Sequence, residues 1–85
     1  MVWIVYILGC SDGSLYTGIT KELDRRVAEH EDGKGAKFTR GRGPFKVVYK
    51  EEQPSKSAAL RREIEIKSMR RSAKCALIGS ATPHP

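Results

Sequence analysis

The chain is poor in cysteine, in histidine and in long apolar runs. Its two cysteines, Cys10 and Cys75, lie far apart with no CxxC spacing. A disulfide framework is therefore not expected, and reduced thiols in a cytoplasmic protein are. His30 and His84 bring the count to two of each zinc-binding type, but without zinc-ligand spacing, so a metal finger is discarded. The N-terminal apolar run starts at Val2 without a basic prefix and breaks at Gly9. That is far short of a membrane span, and neither a signal peptide nor a membrane partner is expected. There is no Ser/His/Asp set, no P-loop and no dinucleotide fingerprint, so acyl transfer and nucleotide-dependent chemistry find no support. With 85 residues the chain makes one domain. A domain of that size buries little more than ~60% of its unfolded surface, so a polar group turned inward is expensive.

Cations are what the chain has in excess. Lys and Arg number 16 against 10 Asp and Glu, for a net charge of +6. That balance suits a polyanionic partner, nucleic acid before an anionic membrane surface, with a merely soluble basic protein as the plainer alternative. The cations are densest between Glu31 and Gly43, where Lys34, Lys37, Arg40 and Arg42 surround Phe38 in a glycine-rich connection. Such a stretch suits a clamp that tracks a nucleic-acid backbone, Phe38 stacking on a base; a solvated basic loop fits nearly as well.

Val5-Tyr6-Ile7-Leu8 and Leu15-Tyr16-Thr17-Gly18 flank a Ser11-Asp12-Gly13 cluster, the pattern of a β-hairpin. A two-residue Asp12-Gly13 turn would send Tyr6 and Tyr16 to opposite faces. A three-residue loop with Gly13 left-handed instead sets Leu8 against Tyr16 and Tyr6 against Gly18, and the tyrosines share a face. The second register is preferred here. Val2 to Leu8 is apolar on both faces, which places it centrally in a sheet. Pro44 to Glu51 reads as an edge strand, Phe45, Val47 and Tyr49 alternating with Lys46, Val48 and Lys50.

Thr20 is the expected N-cap of a first helix, on which Leu23, Arg26, Val27 and His30 share the inward face. A helix built only for packing would carry leucine or alanine in place of Arg26 and His30; the plainer alternative is that both reach out to the edge of the stripe. A second helix follows a cap at Ser55 or Ser57 and runs to about Arg71. Its apolar arc is bounded by Leu60 and Ile64 on one side and Ala59 and Ile66 on the other, and Glu63 falls inside it. An inward carboxylate must be ion-paired, hydrogen-bonded or on a metal; Lys67, one turn on, is the simplest partner. Arg62, Lys67 and Arg70 are further candidates for phosphate contacts. Ser72 should cap a last helix ending at Gly79.

Tyr6, the Tyr16-Thr17-Gly18 triplet and Leu23-Asp24-Arg25-Arg26-Val27-Ala28-Glu29-His30 together resemble the GIY-YIG nuclease domain. The likeness is to its small single-domain bacterial members and extends to about Ile78. The first motif reads Ile4-Val5-Tyr6 without its glycine, and Thr17 stands where isoleucine is usual. Some relatives carry a lysine just after the second motif, where this chain has Ile19. The resemblance implies an α+β fold: a small, mainly antiparallel three-stranded sheet in β-β-α-β-α-α order, flanked by helices, as one domain over 1–79 with a tail over 80–85. It also implies a metal-dependent endonuclease acting on DNA, whether branched, flap or single-stranded, with one Mg²⁺ or Mn²⁺ held by Glu63. Arg26 would face the phosphate and His30 would relay a proton. Tyr6 would position or deprotonate the water, and Tyr16 would hydrogen-bond the phosphate or that water.

Ionising an ordinary phenol at pH 7 costs about 4 kcal/mol, so cations belong beside the tyrosines. The competing reading is a nucleic-acid-binding module that keeps the fold but does not cut, its binding persisting in EDTA and falling with salt. The partner expected in either case is nucleic acid, DNA before RNA, with a targeting protein as a further partner and a monomer or weak dimer as the assembly.

Overall fold

The computed structural model describes residues 2–81. Three strands, β1 (Trp3–Gly9), β2 (Leu15–Thr20) and β3 (Lys46–Gln53), form an antiparallel sheet in the order β2-β1-β3. Helices α1 (Leu23–Glu31), α2 (Lys56–Lys67) and α3 (Arg71–Ala81) complete an α+β fold in the expected β-β-α-β-α-α order. A single 3₁₀ turn, Lys37–Thr39, interrupts the basic connection.

The hairpin adopts the register that unites the tyrosines. Leu8 faces Tyr16 and Tyr6 faces Gly18. The Cys10 amide donates to the Ser14 carbonyl at 2.9 Å, leaving Ser11-Asp12-Gly13 as the loop, with Gly13 at φ +86°. Asp12 stiffens that loop by accepting from the Ser14 amide at 3.0 Å and the Ser14 hydroxyl at 2.6 Å. These bonds, with the Arg42 guanidinium beside them, hold the Asp12 carboxyl down at about 2.

β1 is buried on both faces, and the faces do different work. Val5 and Ile7 point to one side and pack with Ala59 and Ile66 of α2, supported by Trp3, Leu15, Ile19, Val48, Met69, Leu77 and Ile78. Tyr6 and Leu8 point to the other side, where the fully enclosed neighbours include His30 and Thr39. One face is hydrocarbon and the other is polar but hydrogen-bonded, as a small domain requires.

Local pattern and observed structure part at several places. Thr20 is the last residue of β2 and α1 starts at Leu23; the Thr20 hydroxyl accepts from the Glu22 amide at 3.2 Å, but Thr20 stands three residues ahead of the first helical residue. β3 begins at Lys46 and carries a bulge between the partners of Ile7 and Leu8, so Val47 faces Leu8 while Tyr49 faces Ile7, on opposite sides of the sheet. An extra residue inverts every alternation beyond it. On α2, Leu60 and Ile64 are exposed, at 39% and 64%, because the helix rests on the sheet through Ala59 and Ile66. α2 also ends earlier than expected, at Lys67. α3 starts before Ser72 and runs through Gly79 to Ala81, so Gly79 is not its end. Of the expected tail, 82–85 with His84 lies outside the described residues. The Ser55 cap is present, its Oγ accepting from the Ala58 amide at 3.2 Å.

Candidate active site

The polar face of β1 and β2 gathers three rings. Centroids lie 6.4 Å apart for Tyr6 and Tyr16, 6.1 Å for Tyr6 and His30, and 5.3 Å for Tyr16 and His30. Two glycines make this crowding possible. A Cβ on Gly18 would stand 2.6 Å from the Tyr6 hydroxyl, and one on Gly35 would stand 2.2 Å from His30 Nδ1. Gly18 thus admits the Tyr6 phenol itself, and Gly35 lets the basic connection close over the imidazole.

Hydrogen bonds fix how the buried groups are protonated. The Thr39 hydroxyl donates its one proton to the Ala36 carbonyl at 2.7 Å. Its oxygen, 2.8 Å from His30 Nδ1, must therefore accept, so Nδ1 carries the imidazole proton. His30 Nε2 is left with its lone pair and accepts from the Tyr6 hydroxyl at 2.9 Å. His30 is 1% exposed, and burial, with the Arg26 charge behind it, pushes its pKa below the usual value, Glu29 opposing weakly. The imidazole is thus a neutral acceptor, not the imidazolium that would help ionise a tyrosine. Burial likewise raises Tyr6 to about 12, only partly offset by Arg26. Tyr6 stays a phenol.

Arg26 comes from the inward face of α1, its side chain 32% exposed. Its Nη1 donates to Glu29 Oε1 at 3.0 Å, and the guanidinium bears on the Tyr6 oxygen. Both partners favour its charged form, so Arg26 is a fixed cation with one flank open. Glu63 comes from α2, its side chain 17% exposed, close enough that its charge adds to the rise at Tyr6. Its ion partner, Lys67, sits 3.7 Å away with its ammonium 5.8 Å from the Tyr16 ring centroid. Tyr16 is partly exposed, and its hydroxyl has no hydrogen bond among the described residues. The five residues singled out for chemistry thus lie on one neighbourhood, brought there by β1, β2, α1 and α2.

The basic residues divide. Lys34, Lys37, Arg40 and Arg70 are exposed. Arg42 is committed elsewhere: it ion-pairs with Asp12, donates from Nε to the Phe38 carbonyl at 2.7 Å, and lies 4.4 Å from the Phe38 ring centroid. Arg62 is committed too. It donates to both Glu51 oxygens at 3.0 and 3.1 Å and pairs with Glu65, while Tyr49 and Gln53 also donate to Glu51. Those partners sit on β3 and across the turns of α2, where no local periodicity announces them. Thr39 and Gly35 were not singled out in the sequence. Only the glycine-rich character of their stretch hinted that a backbone approaches something closely.

Among the described residues no three His, Cys, Asp or Glu side chains cluster as a ready-made metal cage. One largely buried carboxylate whose ion partner, Lys67, stands 3.7 Å away still fits a hydrated Mg²⁺ or Mn²⁺, which keeps most of its waters and borrows ligands from a phosphate.

The profile described as the GIY-YIG catalytic domain matches residues 2–76. The chain belongs to the GIY-YIG family. Membership implies a nuclease and nucleic-acid binding, and GIY-YIG nucleases generally use divalent metal ions. A UPF0213 protein of Natronomonas pharaonis is 54% identical over 92% of both chains. The solution structure of the UPF0213 protein from Bacillus halodurans has a TM-score of 0.63 at 50% identity, covering 98% of this chain and 89% of that one. A solution structure of an E. faecalis protein has a TM-score of 0.67 at 32% identity, covering 100% of this chain and 93% of that one. No helix among the described residues is long and apolar enough to cross a membrane.

Proposed function

We propose that the protein is an endonuclease hydrolysing phosphodiester bonds, DNA before RNA, with one divalent ion on Glu63. The supporting observation is the meeting of Tyr16, Arg26 and Glu63 around the Tyr6–His30–Thr39 chain. The site offers a water-orienting hydroxyl, a fixed cation and an uncaged carboxylate, and DNA, lacking a 2′-hydroxyl, needs water as its nucleophile. When bound, the ion would supply charge neutralisation at the leaving 3′ oxygen.

The two tyrosines take unequal parts. Tyr6 is 0% exposed and its hydroxyl is already committed to a hydrogen bond with His30, so its work is to hold the imidazole and Arg26 in place. Tyr16, partly exposed and with no hydrogen bond to the described residues, is the phenol that meets the attacking water or the phosphate. This division keeps the part the resemblance implied for Tyr16 and withdraws from Tyr6 the part of positioning or deprotonating the water. Arg26 binds a non-bridging phosphate oxygen and offsets charge gained in the transition state; removing one such donor costs about 10²–10³ in rate. The test incubates labelled single-stranded, duplex, flap and branched substrates with the purified protein in Mg²⁺ or EDTA. Cleavage in Mg²⁺ alone, lost in Glu63→Ala and in Tyr16→Phe, is the expected result. Equal cleavage by these folded variants would refute the assignment. Binding without product under any condition would favour the non-cutting module.

A further inference from the structure

We propose that the hollow beside Tyr16 is a nucleotide subsite, taking a base that is unstacked from its neighbours and adjoins the bond to be cut. This rests on the nuclease reading and gives it a substrate class: single strands, or ends and flaps with free bases. The hollow measures about 240 Å³ and is lined by Leu15, Tyr16, Thr17, Phe38, Lys67 and Lys74. Its walls thus come from β2, the 3₁₀ turn, α2 and α3. Hydrocarbon and aromatic surface lines its body and two ammonium groups stand at its rim, the chemistry of a base with its phosphate.

Phe38 is the telling residue. It is 44% exposed in a domain with few large apolar groups to spend. Yet it is firmly held: Arg42 covers the ring at 4.4 Å, bonds its carbonyl, and is anchored to Asp12 in the hairpin loop. Tyr16 stacks beside it with centroids 6.0 Å apart and planes at 24°. An exposed ring fixed by polar ties, not by the core, is a surface prepared for another ring. Lys74 has no ion pair among the described residues, which leaves its charge for a phosphate.

The other end of β2 continues the path. There Lys21 and Lys56 lie 5.2 and 5.6 Å from the Trp3 ring centroid, again without an acidic partner among the described residues. β2 is an edge strand, and α2 starts near Trp3 and ends near Tyr16, with Glu63 between. A strand laid along this edge passes from the Phe38 hollow, over the reacting groups, to the paired ammoniums. A paired base cannot enter such a hollow without leaving its helix, a cost smallest where the base is already unpaired.

The test measures binding in EDTA, where no cleavage intervenes, using short oligonucleotides carrying 2-aminopurine, single-stranded or duplex, with deoxyribose or ribose. The expected result is tighter binding of the single strand and an aminopurine fluorescence change. Phe38→Leu, which keeps the bulk and removes the ring, should weaken that binding by about 5- to 150-fold and abolish the change, while Phe38→Trp retains both. Lys74→Gln should weaken binding and reduce the slope of log affinity against log salt by about 0.7. Phe38 dependence with either sugar supports the subsite. Unchanged single-strand binding by folded Phe38→Leu, or duplex bound as tightly as single strand, overturns it. Failure of the nuclease reading is separate: it appears as no product in Mg²⁺ whatever the binding.

Discussion

Thr39→Val tests the buried proton arrangement directly. The substitution keeps the branched shape but deletes the hydroxyl that joins His30 Nδ1 at 2.8 Å to the Ala36 carbonyl at 2.7 Å. With His30 1% exposed, water does not replace the lost partner. An enclosed donor left unpaired costs about 1–3 kcal/mol and the second bond about 1, so we expect a loss of about 2–4 kcal/mol. Against a total stability of about 5–15 kcal/mol, the variant remains folded but its urea midpoint drops clearly. Thr39→Ser keeps the hydroxyl and should recover all but about 1 kcal/mol of the loss. Long-range ¹H–¹⁵N correlation of the imidazole gives the second readout. The parent should carry the His30 proton on Nδ1, whereas in Thr39→Val it shifts toward Nε2, where the Tyr6 oxygen can accept. A Thr39→Val protein within about 0.5 kcal/mol of the parent, or a parent protonated on Nε2, would refute the reasoning.

Gly18→Ala places a methyl 2.6 Å from the Tyr6 hydroxyl and should cost about 1–3 kcal/mol by displacing the phenol, with cleavage falling as the Tyr6–His30 bond breaks; thermal unfolding and product formation read the two effects. Because burial lowers the His30 pKa, the unfolded chain takes up a proton near pH 6.5 before the folded one does. Stability conferred by the neutral imidazole is therefore present above about pH 6.5 and lost as pH falls through the lower folded value; denaturation series across that window should show it. Arg62→Met should cost about 1.5–3 kcal/mol through the stranded Glu51 carboxylate while changing nucleic-acid affinity less than Lys74→Gln does, measured by urea melts and anisotropy.

What the sequence made legible was local or periodic. Ser11, Asp12 and Gly13 narrow the loop to two or three residues, and the three-residue length places Leu8 opposite Tyr16. The spacing of Leu23, Arg26, Val27 and His30 announces the inward face of α1, and Ser55 the start of α2. The bulge in β3 was hidden because Val47, Val48 and Tyr49 fit either alternation, and only pairing with β1 decides between them. Leu60 and Ile64 belong to an apolar arc by angle, but α2 meets the sheet through Ala59 and Ile66, a tertiary choice that periodicity does not contain. Arg42 and Arg62 look like free cations until distant carboxylates, Asp12 and Glu51, are brought to them. Thr39 sits in a polar stretch with no repeat at all. Its importance comes from where His30 ends up.

The division of labour across β1 makes the length of the Ser11-Asp12-Gly13 loop a chemical variable as well as a structural one. Adding or deleting a single residue there favours pairing the hairpin one step out of phase, exchanging which side chains of β2 meet hydrocarbon and which meet the imidazole. Such a protein would keep its composition, its charge and every reactive group, and still have Tyr16 on the wrong side of the wall.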